Sequence, residues 1–297
     1  NDAGSGGEDS TSGNTIFGYL AGAAIDSDVK NNSLFGHRAG NSINGGDWNV
    51  MVGEGSGKSV TDGHENVFVG QNAGATTTSI GFAVAIGQAS MGGANTTADA
   101  DGTVAVGASA LGSLVSGQRN LAVGFQALED LTQGDDNIAI GYLALNGLTT
   151  DANANQNITI GNYVMDVASN SASTAQNVCI GYGSGSLLTG DDNTCVGNAS
   201  GDTISSGEKN TVIGSASDTS AGSTANATAI GYGVTTQGNN TVTLGNNDVT
   251  KVYMAQDGDA EMYANGTINT SDERLKEDIS DSDLGLLFIN KLRAVSY

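Results

Sequence analysis

Few groups of residues in this chain have the types and spacing that chemistry needs. Gly53-Glu54-Gly55-Ser56-Gly57-Lys58-Ser59 comes near a phosphate-binding loop, in which backbone amides, a Lys and a hydroxyl cradle phosphates. It falls one residue short, because Val52 stands where the first Gly of G-x-x-x-x-G-K-S belongs. Cys179 and Cys195 are the only two cysteines, too few for a disulfide framework. His37 and His64 have no partner at a metal-ligand spacing. Carboxylates cluster in Asp26-Ser27-Asp28, Gly134-Asp135-Asp136 and Gly190-Asp191-Asp192. These lack the acidic spacing and the closing Glu of a Ca²⁺ loop, and they read as turns whose side chains bond the local backbone. Trp48, Tyr19, Tyr142 and Tyr182 are open to two readings, stacking on sugars or packing on the scaffold. No His–Ser–Asp set suits hydrolysis. Neither a cofactor, nor a metal, nor activity on an external substrate is therefore expected.

The elements that would position any site come from a repeat, the first thing to seek in such a chain. A short apolar run ending in Gly recurs fourteen times, as in Asn14–Gly18, Asn66–Gly70, Asn120–Gly124, Asn137–Gly141 and Asn210–Gly214. The glycines stand at 18, 36, 53, 70, 87, 107, 124, 141, 161, 181, 197, 214, 231 and 245; seven of the thirteen spacings are 17 and the rest lie between 14 and 20. That period is too short for a helix pair or a propeller blade. It predicts one coil of a β-solenoid with two short strands, and a rod roughly 65–70 Å long at about 4.8 Å per coil.

The residue before each Gly is large and apolar, from Phe17 to Leu244, and the residue two before is often small, as at Ala85, Ala105, Ala122, Ala139 and Cys179. Successive strand residues point to opposite faces, so the strand is expected to bury both. Three residues after the Gly comes a small residue (Ala39, Ser56, Ala73, Ala110, Ala127, Ala144, Ser184, Ser200), as a thin, flattened coil requires. Cys179 and Cys195 both stand two before a repeat Gly in successive coils. They are expected to stack about 4.8 Å apart as small apolar fillers, with a disulfide or a shared metal as the other reading.

Composition supports the same fold. The chain has 297 residues, 45 Gly, no Pro, 5% aromatic and 14% charged residues, unlike ordinary α/β enzymes. Recurring low-charge apolar runs argue against disorder, and the missing Pro and three-residue period against collagen. A net charge of −22 makes nucleic acid a poor partner. No apolar run reaches the roughly 18–20 residues of a bilayer span, so membrane insertion is not expected. The chain begins at Asn1, as a processed chain or a piece of a longer one does. A thin coil alone would leave its second apolar face in water. Self-association around an axis hides it.

The pattern N-[TIV]-[AV]-[IV]-G-x-x-A-L over residues 14–245 resembles the head repeats of trimeric adhesins and of repeat-bearing phage tail fibres. The resemblance implies an all-β fold, a left-handed parallel β-roll assembled as a homotrimeric rod. Composition then changes. Residues 271–297 hold one Gly but four of the ten basic residues, with Leu284, Leu287, Phe288, Leu292 and Val295 at the three- and four-residue spacings of a helix. The segment Thr270-Ser271-Asp272-Glu273-Arg274-Leu275-Lys276-Glu277-Asp278-Ile279 resembles the start of the intramolecular chaperone domain of phage tail spikes and fibres, of the endosialidase type. By that resemblance Ser271 is the nucleophile, Lys276 its general base and Thr270–Ser271 the bond cut in self-cleavage. An adjacent desolvated Lys is the kind of base a hydroxyl needs.

The expected organisation is a linker at 1–13, repeats at 14–248, a neck at 249–270 and the start of the chaperone domain at 271–297. The expected function is a structural fibre, part of a virion, that attaches to a host-surface glycan or receptor. A bacterial surface adhesin or extracellular filament built from the same repeat is the alternative. An enzyme on a solenoid fits less well, because only six basic residues precede residue 271.

Overall fold

The computed structural model describes residues 13–147, 154–166 and 174–255. Fourteen three-residue strands run in chain order: β1 (Thr15–Phe17), β2 (Ser33–Phe35), β3 (Val50–Val52), β4 (Val67–Val69), β5 (Val84–Ile86), β6 (Val104–Val106), β7 (Leu121–Val123), β8 (Ile138–Ile140), β9 (Ile158–Ile160), β10 (Val178–Ile180), β11 (Thr194–Val196), β12 (Thr211–Ile213), β13 (Thr228–Ile230) and β14 (Val242–Leu244). They form one parallel sheet in that same order. Every strand pairs in register with the next, so that Ala105 faces Ala122 and Ala122 faces Ala139. The chain is thus an all-β parallel solenoid with coils of about 17 residues. A 3-10 turn at Ala98–Ala100 is the one helical piece among the described residues.

The period predicts two strands per coil, and the structure has one. The rest of each coil is turns that still bond the next coil through the backbone, as in Gly40 N–H to Ser56 O (2.9 Å) and Asn72 N–H to Glu54 O (2.8 Å). Two or three positions per coil adopt left-handed backbone, shown by Trp48 (φ 58), Gly55 (φ 64) and Gly57 (φ 56) in successive turns. A chain that bends left-handed this often does not continue a second extended run, and those positions cannot accept Pro, whose φ is fixed near −65°.

The invariant glycines have a steric cause. Gly53 and Gly70 sit at φ 131 and 137, and a Cβ on either would lie 2.5 Å from the carbonyl oxygen of the glycine one coil on. The column stacks backbone on backbone, and only Gly fits both the φ and the approach.

The core is a few columns wide. The central strand residue points inward (Leu34, Met51, Phe68, Ala85, Ala105, Ala122, Ala139, Cys179, Cys195, Val212) and is fully buried. It meets the predicted column of small residues (Ala39, Ser56, Ala73, Ala110, Ala127, Ala144, Ser184, Ser200), likewise buried. Ile43, Val60, Leu114, Leu131, Leu188 and Ile204 close the far side. As expected of a thin coil taken alone, one chain buries only one face of its strand. Flanking residues of each strand, such as Val50 and Val52, face out and are exposed or half-buried.

The chain divides into two units between Thr250 and Lys251. Within the expected neck, residues 249–255 are described and contain no strand. Residues 1–12, the remainder of the neck and all of 271–297, with the expected C-terminal helix, lie outside the described residues.

Candidate functional site

The feature with the clearest functional content is the outward face of the sheet. One column holds the residue before each glycine: Phe35, Val52, Val69, Ile86, Val106, Val123, Ile140, Ile160, Ile180, Val196, Ile213 and Ile230. The other holds Val50, Val67, Val84, Val104, Leu121, Ile138, Ile158 and Val178, then Thr194, Thr211 and Thr228. None of these side chains is buried; Phe35 is 40% exposed and Ile230 still 41%. Parallel in-register pairing aligns them into unbroken rows. β-branched residues suit such rows, but a soluble monomer rarely shows water so long an apolar strip.

Beside these rows runs a set of rings. Phe125 and Tyr142 stack at 5.3 Å with 10° between planes, Tyr142 meets Tyr163 edge-on at 5.3 Å, and Tyr163 meets Tyr182 at 5.6 Å. Each comes from a successive coil, so the rings contact one another along the rod. Tyr142 and Tyr182 stay 41% and 57% exposed, so these contacts fit both readings, packing on the scaffold and stacking on sugars. Tyr19 stacks on His37 at 5.7 Å, and Trp48 is exposed.

The loop Gly53–Ser59 is spent on packing. Ser56 Oγ donates to Phe68 O (2.8 Å), Gly57 abuts Met51, and Lys58 and Ser59 are half-buried in the coil. His37 lies 3.7 Å from Glu54, and His64 packs edge-on against Phe82 at 5.2 Å. No group of three or more metal-ligating side chains occurs among the described residues. No helix among them is long and apolar enough to cross a membrane. Cys179 and Cys195 are free, buried register partners. Ser271 and Lys276 lie outside the described residues.

Two features escape a reading of the sequence. The first is a buried asparagine ladder at Asn32, Asn49 and Asn66, resumed at Asn120, Asn137, Asn157, Asn177, Asn193 and Asn210. Asn49 Nδ2 donates to Asn32 Oδ1 (3.0 Å) and to Gly63 O (2.8 Å), while its Oδ1 accepts from the N–H and Nδ2 of Asn66 (3.1 and 3.0 Å). Both amide hydrogens and both lone pairs are used. The signal was the Asn that opens most repeats, which composition alone assigns to a turn.

The second is Asp218. Its Oδ2 accepts from Thr203 N–H (3.1 Å) and its Oδ1 from Thr219 N–H (2.7 Å). Burial, then a hydrogen bond with Asp202 in the preceding coil, pushes its carboxyl up to about 6.

Comparison with protein-family models, characterised proteins and solved structures gives no match for this chain.

Proposed function

We propose that the chain is a section of an extracellular fibre, a homotrimeric shaft or head with a left-handed roll, carried on a virion and contacting a host-surface glycan or receptor. The observation that carries the reading is the outward sheet face. Aligned valine and isoleucine rows, left half-exposed by a single chain, lose their contact with water when the same face of sister chains meets around an axis. The core of one coil is too thin to supply that cover from within. Supporting it are the acidic, nearly uninterrupted repeat and the segment Thr270–Ile279. Under this reading the rod binds and bears load, and its one reaction is self-cleavage at Thr270–Ser271 by Ser271 and Lys276.

Two measurements test this. Light scattering on the purified full chain should give three times the chain mass; a stable particle of one chain mass overturns the trimer. A longer parent carrying residues beyond Tyr297 should lose a C-terminal fragment on a denaturing gel, and its Ser271→Ala variant should not. Equal behaviour of the two overturns the assignment of Ser271.

A further inference from the structure

Cys179 in β10 and Cys195 in β11 are direct register partners, and both are fully buried. Each sulfur lies over a left-handed glycine of its own coil. A Cβ on Gly185 would come 2.8 Å from Cys179 Sγ, and one on Gly201 would come 2.5 Å from Cys195 Sγ. The two side chains therefore leave their strands in the same direction, one coil apart. The neighbouring Cys195 thiol, then burial, holds the Cys179 thiol protonated well above the usual range.

Magnitudes decide what such a pair can form. A disulfide needs Cβ atoms about 3.8 Å apart and a Cβ–S–S–Cβ dihedral near 90°. Stacked parallel side chains offer a separation of about 4.8 Å and a dihedral close to zero. Two metal–sulfur bonds of about 2.3 Å laid end to end span about 4.6 Å, close to the coil rise. A bond from each sulfur along the rod axis also leaves its Cβ roughly at a right angle, as thiolate coordination prefers.

We propose that Cys179 and Cys195 form a two-coordinate site for a soft, thiophilic d10 cation, held in line between the two sulfurs and pinning one coil to the next. Thiolates select such ions. Formation is balanced by proton release: M²⁺ and two thiols give S–M–S and two protons, with no oxidant required. A divalent ion, Hg²⁺, leaves a neutral product, which suits a core without counter-charges. Cu⁺ or Ag⁺ would leave one negative charge there, at a desolvation cost. The strand neighbours of the pair, Thr159 and Val212, are not ligands that would complete the four-coordinate shell of Zn²⁺. Ser184 Oγ lies within hydrogen-bond distance of Cys195 O (3.0 Å) and Ser200 O (3.2 Å) and also acts on the Cys179 thiol, but a neutral hydroxyl is a poor ligand for a soft cation.

The test uses the full, reduced chain titrated with HgCl₂, and its Cys179→Ala and Cys195→Ala variants. Alanine fills the same column at Ala105, Ala122 and Ala139, so these variants keep the fold. The expected result is one mercury per chain by mass, a thiolate-to-mercury absorption band and a raised Tm. A competing small thiol should strip the metal about a hundredfold more slowly than from either variant, because the second sulfur is tethered beside the first. AgNO₃ should bind at the same pair with a smaller rise in Tm. Two mercury ions per chain overturns the proposal, as does a Tm rise equal in the variants. No uptake, or a Cys179–Cys195 disulfide formed by diamide in the folded rod, overturns it as well.

Discussion

Phe68 and Gly74 divide one slot of the core between them. A Cβ added to Gly74 would lie 2.6 Å from two carbons of the Phe68 ring. The same exchange runs along the rod: Leu34 goes with Gly40 and Met51 with Gly57, whereas Ala105 goes with Leu111, Ala122 with Leu128 and Ala139 with Leu145. One partner is large and the other small, and the left-handed position accepts either, with Gly74 at φ 58 and Leu111 at φ 51.

This pairing makes a double-mutant cycle informative. Phe68→Ala alone should cost about 3–5 kcal/mol through a cavity, and Gly74→Leu alone about 1–3 kcal/mol or more through overpacking. Together they rebuild the arrangement of Ala105 and Leu111, and should recover most of the loss. Chemical denaturation of the four proteins measures the coupling. Simple additivity would contradict the shared slot.

Gly70→Ala tests the glycine column. Its methyl would meet the Gly87 carbonyl oxygen at 2.5 Å, at φ 137. No side chain can be turned aside to relieve a clash between backbones, so the loss should exceed the roughly 1 kcal/mol of an ordinary Gly-to-Ala change. A thermal melt compared with an Ala substitution at Gly238, at φ 125 with nothing within 4 Å, separates the clash from the strain of positive φ.

Asn49→Ala removes the middle of the buried ladder. It leaves Asn32 Oδ1, Gly63 O and the Asn66 amide short of partners. The expected cost is about 2–4 kcal/mol, since unmet buried groups cost more than a net hydrogen bond gains. Urea unfolding measures it.

Stability should fall as pH rises through about 6 because of Asp218, whose carboxyl is held at about 6 against an ordinary 3.8. The folded state binds the proton more tightly, so the contribution is complete below 3.8 and lost by the time pH passes 6. Allowing for partial exposure, the change is on the order of 1 kcal/mol. Melts between pH 3 and 7 should show it, and Asp218→Asn should flatten that part of the profile.

Ile140→Glu places a charge in the outward row while leaving the inward Ala139 untouched. Light scattering should report smaller particles, with the β-rich circular dichroism retained. An unchanged particle mass would show that this row is not where chains meet.

The glycine column, the coil length and the small column behind it are legible in the sequence, because each follows from a fixed spacing. The choice of buried face is not. In Ile138-Ala139-Ile140 all three residues are apolar, so the alternation that marks a one-sided strand is missing. Nor is the second strand's absence legible, because residues such as Leu111, Leu128 and Leu145 look like strand formers. The structure holds them in left-handed turns, where tertiary packing overrides local preference. The asparagine ladder hides for a related reason. Asn suits a turn and a stacked amide column equally well, and only the in-register neighbour distinguishes the two.

One strand per coil has a mechanical meaning. The bonds joining coils point along the rod, so a pull on its two ends passes through every ring in series, and the end rings, bonded on one side only, are the first to peel. Under tension such a rod should surrender one ring at a time, paying out a short, repeated length of thread with each step. A tether of this kind absorbs shock in small measured portions.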